Sequence, residues 1–254
     1  MRKVAIYFAG RIQGYEDCLE QLFQIKNDYS PMFFMSLNMN SNEANLGDVE
    51  KFKQLFSIED ECVHIEKIVL PQFLKEEDFT SSQEFIGWDS KTNSRIFLGE
   101  KFLQKKTKFW KFVNSDLYKT YSQYYHNKRA FELILKYQET HSVEFDVVVK
   151  FRADIKYTQP LHLYIPLKDT LYIPEGNDHE EGINAFMAYG DTESMKKYSY
   201  MVDNIESIIN TNYMFHSEQM LKIYLDTACK LKLIRFPFIT TLTDKRYLSN
   251  LKSN

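Results

Sequence analysis

Arg152-Ala153-Asp154 carries the strongest chemical signal in the chain. It follows Val147-Val148-Val149 with only Lys150 and Phe151 between. A β-branched run without alternation reads as a strand buried on both faces, as at the centre of an α/β sheet. A guanidinium and a carboxylate just beyond such a strand are expected at its C-terminal edge, where open α/β sheets bind ligands. A carboxylate there can hold a divalent cation that in turn binds a diphosphate. An arginine there can grip phosphate in bidentate fashion. The plainer alternative is that both are turn residues, exposed to solvent or paired with neighbouring charges.

Three further groups have types and spacing that suit chemistry. Phe8-Ala9-Gly10-Arg11-Ile12-Gln13-Gly14 ends the first apolar run, and glycine there lets backbone N–H groups approach a phosphate closely. The spacing is neither a dinucleotide-binding nor a P-loop fingerprint. Asp178-His179-Glu180-Glu181-Gly182-Ile183-Asn184 is an acidic, glycine-containing loop that can supply a general base or a metal ligand, or can simply be solvated. His216-Ser217-Glu218 opens a helical stretch; its residues either cap that helix or bring His216 or Glu218 into a site. No zinc spacing, nucleophile elbow or nucleophilic cysteine motif is present.

The elements that must position these groups follow from periodicity. Val4–Ala9, Pro31–Leu37, His64–Val69, Thr170–Ile173, Ala185–Tyr189 and Leu231–Ile239 read as strands beside Val147–Val149. Helices are expected over Tyr15–Lys26, Asp48–Phe56, Ser115–Tyr137, Thr192–Ile209 and His216–Lys230, with Asp191 or Thr192 capping the fourth. Residues 71–108 are polar and resist assignment; the lysines at 101, 105, 106, 108 and 111 suit either a solvated helix face or phosphate contacts. The pattern implies one α/β domain, residues 1–239, with a mixed, mostly parallel sheet flanked by helices and a polar tail over 240–254.

Composition sets the bounds. With 254 residues, 44% hydrophobic and 26% charged, the chain can bury a full core. A net charge of −3 gives no global field for nucleic acid or an anionic membrane. Three scattered cysteines without a CxxC pair fit a reducing compartment. No 18-residue apolar run exists and the N-terminus lacks a signal-peptide pattern, so no transmembrane segment is expected.

Taken in order, these segments resemble small GT-A-like glycosyltransferases of large DNA viruses and bacterial polysaccharide clusters. The resemblance rests on Val4 to Arg11, on Asp146 to Ile155, on Ile173-Pro174 through Asn184-Ala185-Phe186-Met187-Ala188-Tyr189-Gly190 to Met195, and on His216-Ser217-Glu218. It implies a GT-A-like, Rossmann-like fold and an enzyme that moves a sugar from a nucleotide-diphosphate sugar to a glycan or other hydroxyl acceptor. It places Ala9, Gly10, Arg11, Tyr124, Lys128, Arg152, Asp154 and Asn184 around the donor. Asp154 with His216 would hold Mn2+ or Mg2+, and Asp178, Glu180 or Glu181 would take the acceptor proton in an inverting reaction. Arg152 stands where related folds carry the first acid of Asp-x-Asp; the resemblance implies either that Arg152 replaces part of the metal's charge on the diphosphate or that Asp154 binds the metal with help from His216. The implied location is cytoplasmic (host cytoplasm for a viral member), with no nucleic-acid partner. The rival reading is a non-catalytic nucleotide- or carbohydrate-binding module.

Overall fold

The computed structural model describes residues 2–10, 12, 14–39, 46–72, 86–89, 94–97, 106–157, 159–176, 178, 182–209, 217–238 and 240–242, with backbone only for 86–89, 94–97, 106–117, 209 and 240–242. In chain order the elements are β1 (Val4–Gly10), α1 (Leu19–Tyr29), β2 (Met32–Asn38), α2 (Leu46–Phe56), β3 (Val63–Glu66), β4 (Ile86–Asp89), β5 (Ser94–Phe97), α3 (Lys106–His141), β6 (Val147–Lys150), β7 (Ile155–Tyr157), β8 (Thr170–Pro174), β9 (Ala188–Gly190), α4 (Thr192–Ser199), α5 (Ile205–Ile209), α6 (Ser217–Tyr224), β10 (Lys232–Phe236) and β11 (Thr240–Leu242).

Seven strands form one sheet in the order β10-β8-β9-β6-β1-β2-β3. Every neighbouring pair is parallel except those made by β9, which runs against both β6 and β8. The expected α/β architecture with a mixed, mostly parallel sheet is therefore present. The β3-β2-β1-β6 half follows the doubly wound arrangement, in which strand order reverses beside β1.

Residues on β1 and β2 show why helices cover both faces. Successive side chains on a strand point to opposite sides. Phe8 and Phe33 meet Phe52 and Phe56 of α2 on one side. Tyr7 and Phe34 meet Phe131 and Tyr137 of α3 on the other. Both faces of β1, β2 and β6 are consequently mostly apolar, with Ser36, Asn38 and Lys150 as buried polar exceptions, and Val147, Val148 and Val149 are fully buried. Burying a valine side chain contributes about 1.5–3 kcal/mol, which makes this run a main stabiliser of the sheet centre.

Several boundaries differ from the sequence reading. The helix expected over Ser115–Tyr137 runs from Lys106 to His141. The side chains of Lys106, Lys108 and Lys111 at its start lie outside the described residues, as do Lys101 and Lys105 altogether. The helix expected over Thr192–Ile209 is broken: α4 ends at Ser199 and a 3-10 turn, Tyr200–Asn204, leads into α5. Its predicted N-cap is present, with Asp191 accepting a hydrogen bond from the Ser194 N–H at 2.6 Å. Within residues 71–108 an antiparallel hairpin joins β4 and β5. Thr240–Leu242, read as the start of a tail, pairs antiparallel with β7 as β11; residues 243–254 lie outside the described residues.

Candidate functional site

The sheet brings two strand ends together where its order reverses. β1 and β6 are parallel neighbours, with Tyr7 opposite Lys150 in register. The Phe151 N–H then donates to the Tyr7 carbonyl at 3.0 Å. β1 continues to Gly10, while the chain leaves β6 after Lys150 and turns at Ala153-Asp154. Gly10 has φ 90°, a left-handed conformation that disfavours any other residue, and an added Cβ would meet nothing within 4 Å. The glycine is thus required by backbone shape rather than by crowding. Ala9 beside it is half-buried. Arg11 lies outside the described residues.

β9 supplies the third wall. Because it runs antiparallel, its N-terminal end lies at the edge where β6 and β8 have their C-terminal ends. The segment just before it, residues 182–187, is delivered beside Arg152 and Asp154. Asn184 ties that segment down. The Asn184 N–H donates to Asp178 Oδ1 at 2.7 Å, and its Nδ2 donates to the Gly176 carbonyl at 2.9 Å. Asn184 Oδ1 accepts from the Phe186 N–H at 2.8 Å. Asp178 is itself held by Arg235 Nη2, 2.9 Å from both carboxylate oxygens. Asn184 and Asp178, expected as donor contact and general base, work in this structure as the frame of the loop.

Arg152 and Asp154 are a mutual pair. Nε donates to Oδ1 at 2.9 Å and Nη2 to Oδ2 at 2.7 Å. Asp154 is buried and the Arg152 side chain retains 19% exposure. The guanidinium carbon lies 5.1 Å from the centroid of the Phe186 ring, within cation–π range. The exposed-turn alternative therefore fails, while pairing between neighbouring charges is what the geometry shows.

Lys150 is the residue that sequence reasoning passed over. It ends β6 fully buried, and its Nζ donates to the Ala185 carbonyl and, at 3.3 Å, to that of Phe186. Burial pushes its amine down to about 7, the Arg152 guanidinium pushes the same way, and the carboxylates of Asp154 and Glu218 oppose them. The signal was present in the sequence: a lone lysine closing a run of valines has to be buried with them. Phe186, which carries the Arg152 contact, is a strand and motif residue in the sequence reading, without a site role.

Glu218 forms the fourth wall from the start of α6. It is buried, its side chain accepts from Ser217 Oγ, and its carbonyl accepts from the Ile183 N–H at 3.0 Å. Tyr124 on α3 donates its hydroxyl to the Ser217 carbonyl at 2.5 Å, so it braces α6 from behind. Lys128 is not brought to this cluster. Its Nζ sits 2.8 Å from both Asp203 carboxylate oxygens and 4.9 Å from the Tyr200 ring centroid. It lines a separate cleft of about 310 Å³ with Tyr121, Tyr125 and Glu206. His216, Glu180 and Glu181 lie outside the described residues.

The expected Mn2+ or Mg2+ would need oxygen donors that converge. Both oxygens of Asp154 face Arg152, and both of Asp178 face Arg235. Among the described residues no three His, Cys, Asp or Glu side chains converge on one point. Asp154 and Asp178 are each turned to a guanidinium, and Glu218 accepts from Ser217 Oγ.

Lys150 gives stability a pH dependence of known sign. The unfolded chain holds its lysine proton up to about 10.4. Between about 7 and that value the unfolded state binds a proton that the folded state lacks, so stability rises with pH. Below 7 both states are protonated and the contribution flattens. From pH 6.5 to 8.5 the wild type should gain roughly 2 kcal/mol over Lys150→Met in urea unfolding. A pH-independent difference between the two proteins would refute a buried, neutral-tending amine.

A scan against models of known protein families matches none, and a search of curated proteins finds no match. Among the described residues no helix is long and apolar enough to cross a membrane.

Proposed function

We propose that the protein is a GT-A-like glycosyltransferase that takes its sugar from a nucleoside diphosphate donor and passes it to a glycan or other hydroxyl acceptor. The observation that carries the reading is the left-handed Gly10 turn at the end of β1, one strand from the strand that leads to the Arg152 guanidinium, at the sheet edge where strand order reverses. A glycine turn lets backbone N–H groups approach a phosphate, and a guanidinium near the same edge contributes positive charge.

In the reaction the acceptor hydroxyl oxygen forms a bond to the anomeric carbon. The bond from that carbon to the β-phosphate oxygen breaks, and its electron pair leaves with the nucleoside diphosphate. Arg152 stabilises the charge developing on the leaving group. The hydroxyl proton passes to a carboxylate in an inverting reaction. Asp178 is committed to Arg235 and to the loop, so Glu180 and Glu181 are the carboxylates proposed for that step.

The test is a thermal-shift screen with UDP-, GDP- and dTDP-sugars, followed by measurement of nucleoside diphosphate release with candidate acceptors. A ligand at 100 times its Kd adds about 2.7 kcal/mol, a rise of several degrees in Tm. If none of these donors raises Tm, the reading fails. A second reading, a binding module without turnover, draws support from the consumption of both Asp154 and Asp178 in ion pairs. Binding of a donor with neither transfer nor hydrolysis would select it.

A further inference from the structure

We propose that the cleft on the outer face of α3 is a second ligand site and that it binds a neutral saccharide. It lies between α3 and the turn that leads into α5, has a volume of about 310 Å³, and shares no residue with the Arg152 cluster. That volume is at the lower end of the range for small-molecule sites. Ser122 and His126 of α3 bond to Asn38 and Ser36 of β2. Tyr121, Tyr125, Lys128 and Glu132 follow one another at helical spacing along a different face, which is the one that lines the cleft.

The lining sets the class of ligand. The Tyr121 and Tyr125 rings lie 6.0 Å apart between centroids and 30° from coplanar, which gives the cleft aromatic surface for the C–H face of a sugar ring. Its charges are already matched: Lys128 pairs with Asp203 at 2.8 Å and Arg129 with Glu132 at 2.6 Å. Glu206 is left over, so the lining is net negative and a phosphate or carboxylate would be repelled. The Tyr121 hydroxyl and the Glu206 carboxylate make no hydrogen bond or ion pair among the described residues. Burial and the Asp203 carboxylate push the Tyr121 hydroxyl above its ordinary value, so it stays a neutral donor. A sugar hydroxyl both donates and accepts, and the cleft offers it an acceptor in Glu206 and a donor in Tyr121. Saccharide binding stands on this lining alone. Its role rests on the transferase reading, in which the cleft holds a part of the glycan acceptor remote from the reacting hydroxyl.

The experiment is saturation-transfer NMR on the full chain with maltotriose, cellotriose, mannotriose and triacetylchitotriose, and with sialyllactose as the anionic comparison. At least one neutral trisaccharide should bind, and sialyllactose should bind no better. Glu206→Gln changes an exposed residue and should weaken that binding about threefold. Tyr121→Phe keeps the ring, loses the hydroxyl and should have a similar effect, about threefold; Tyr121→Ala removes both and should weaken binding about tenfold or more. Binding of none of the four, a preference for sialyllactose, or affinity unchanged in all three variants overturns this inference. Saccharide binding that the variants weaken, with no rise in Tm from any donor sugar, supports the cleft and sinks the transferase reading. Donor binding without saccharide binding overturns the cleft and leaves the transferase reading in place.

Discussion

Asp154→Ala should lower the unfolding free energy by about 3 kcal/mol, roughly a 6–12 °C fall in Tm for a chain of this size. The sequence alone suggests otherwise: a side chain beyond a strand end contributes little to the core, so its truncation should abolish turnover without unfolding the protein. The structure corrects this. Asp154 is 4% exposed and is the bidentate partner of Arg152, whose side chain is itself largely buried. Removing one member of a buried pair leaves the desolvation cost of the other without its compensation, typically about 3–5 kcal/mol. The residual exposure of Arg152 puts the expected loss at the lower end. Chemical denaturation of Asp154→Ala, Arg152→Ala and the double variant gives the coupling energy, which should exceed about 1 kcal/mol. Additive losses would mean that the pair is not a unit. For activity measurements Asp154→Asn is the safer variant, because it keeps the shape and one hydrogen-bond acceptor.

Gly182→Val is the second large effect. A Cβ at Gly182 would lie 2.4 Å from the Glu218 carbonyl carbon and 2.6 Å from the Gln219 nitrogen. These are backbone atoms at the start of α6, and no side-chain rotation relieves them. Either residues 182–187 or the first turn of α6 must move, at a cost of about 2–3 kcal/mol for an overpacked site. The displacement would pull the Ile183 N–H from the Glu218 carbonyl and loosen the Phe186 support beneath Arg152. Gly182→Val should therefore be destabilised in urea and should also lose diphosphate affinity beyond what partial unfolding explains. Unchanged stability would show that loop and helix do not touch as described.

What could be read from the sequence was what local pattern determines. Val147–Val149 has no alternation because β6 lies in the middle of a sheet covered on both faces. Gly10 closes an apolar run because the chain turns left-handed there. The Asp191 cap follows from a short polar side chain preceding a helical stretch. Tertiary choices were out of reach. Nothing local in Ala188–Gly190 says that it runs antiparallel between two parallel strands, yet this reversal is what delivers Asn184 and Phe186 to the Arg152 edge. Asp178 carries the same acidic signature as a general base; only the arrival of Arg235 from β10, 57 residues later, gives it a framing role. Tyr124 and Lys128 both lie on α3, but one reaches toward α6 and the other to Asp203.

The reversed strand also sets how force travels through the molecule. β8 and β10 are hydrogen-bonded into the sheet through β9, a strand of three residues. The sheet is thus two plates joined by a narrow seam, and the residues that lead into the seam include Phe186, which packs on Arg152. Tightening residues 182–187 around a ligand stiffens the joint between the plates. Amide exchange at Ala188–Gly190, the strand that follows Phe186, would register that tightening.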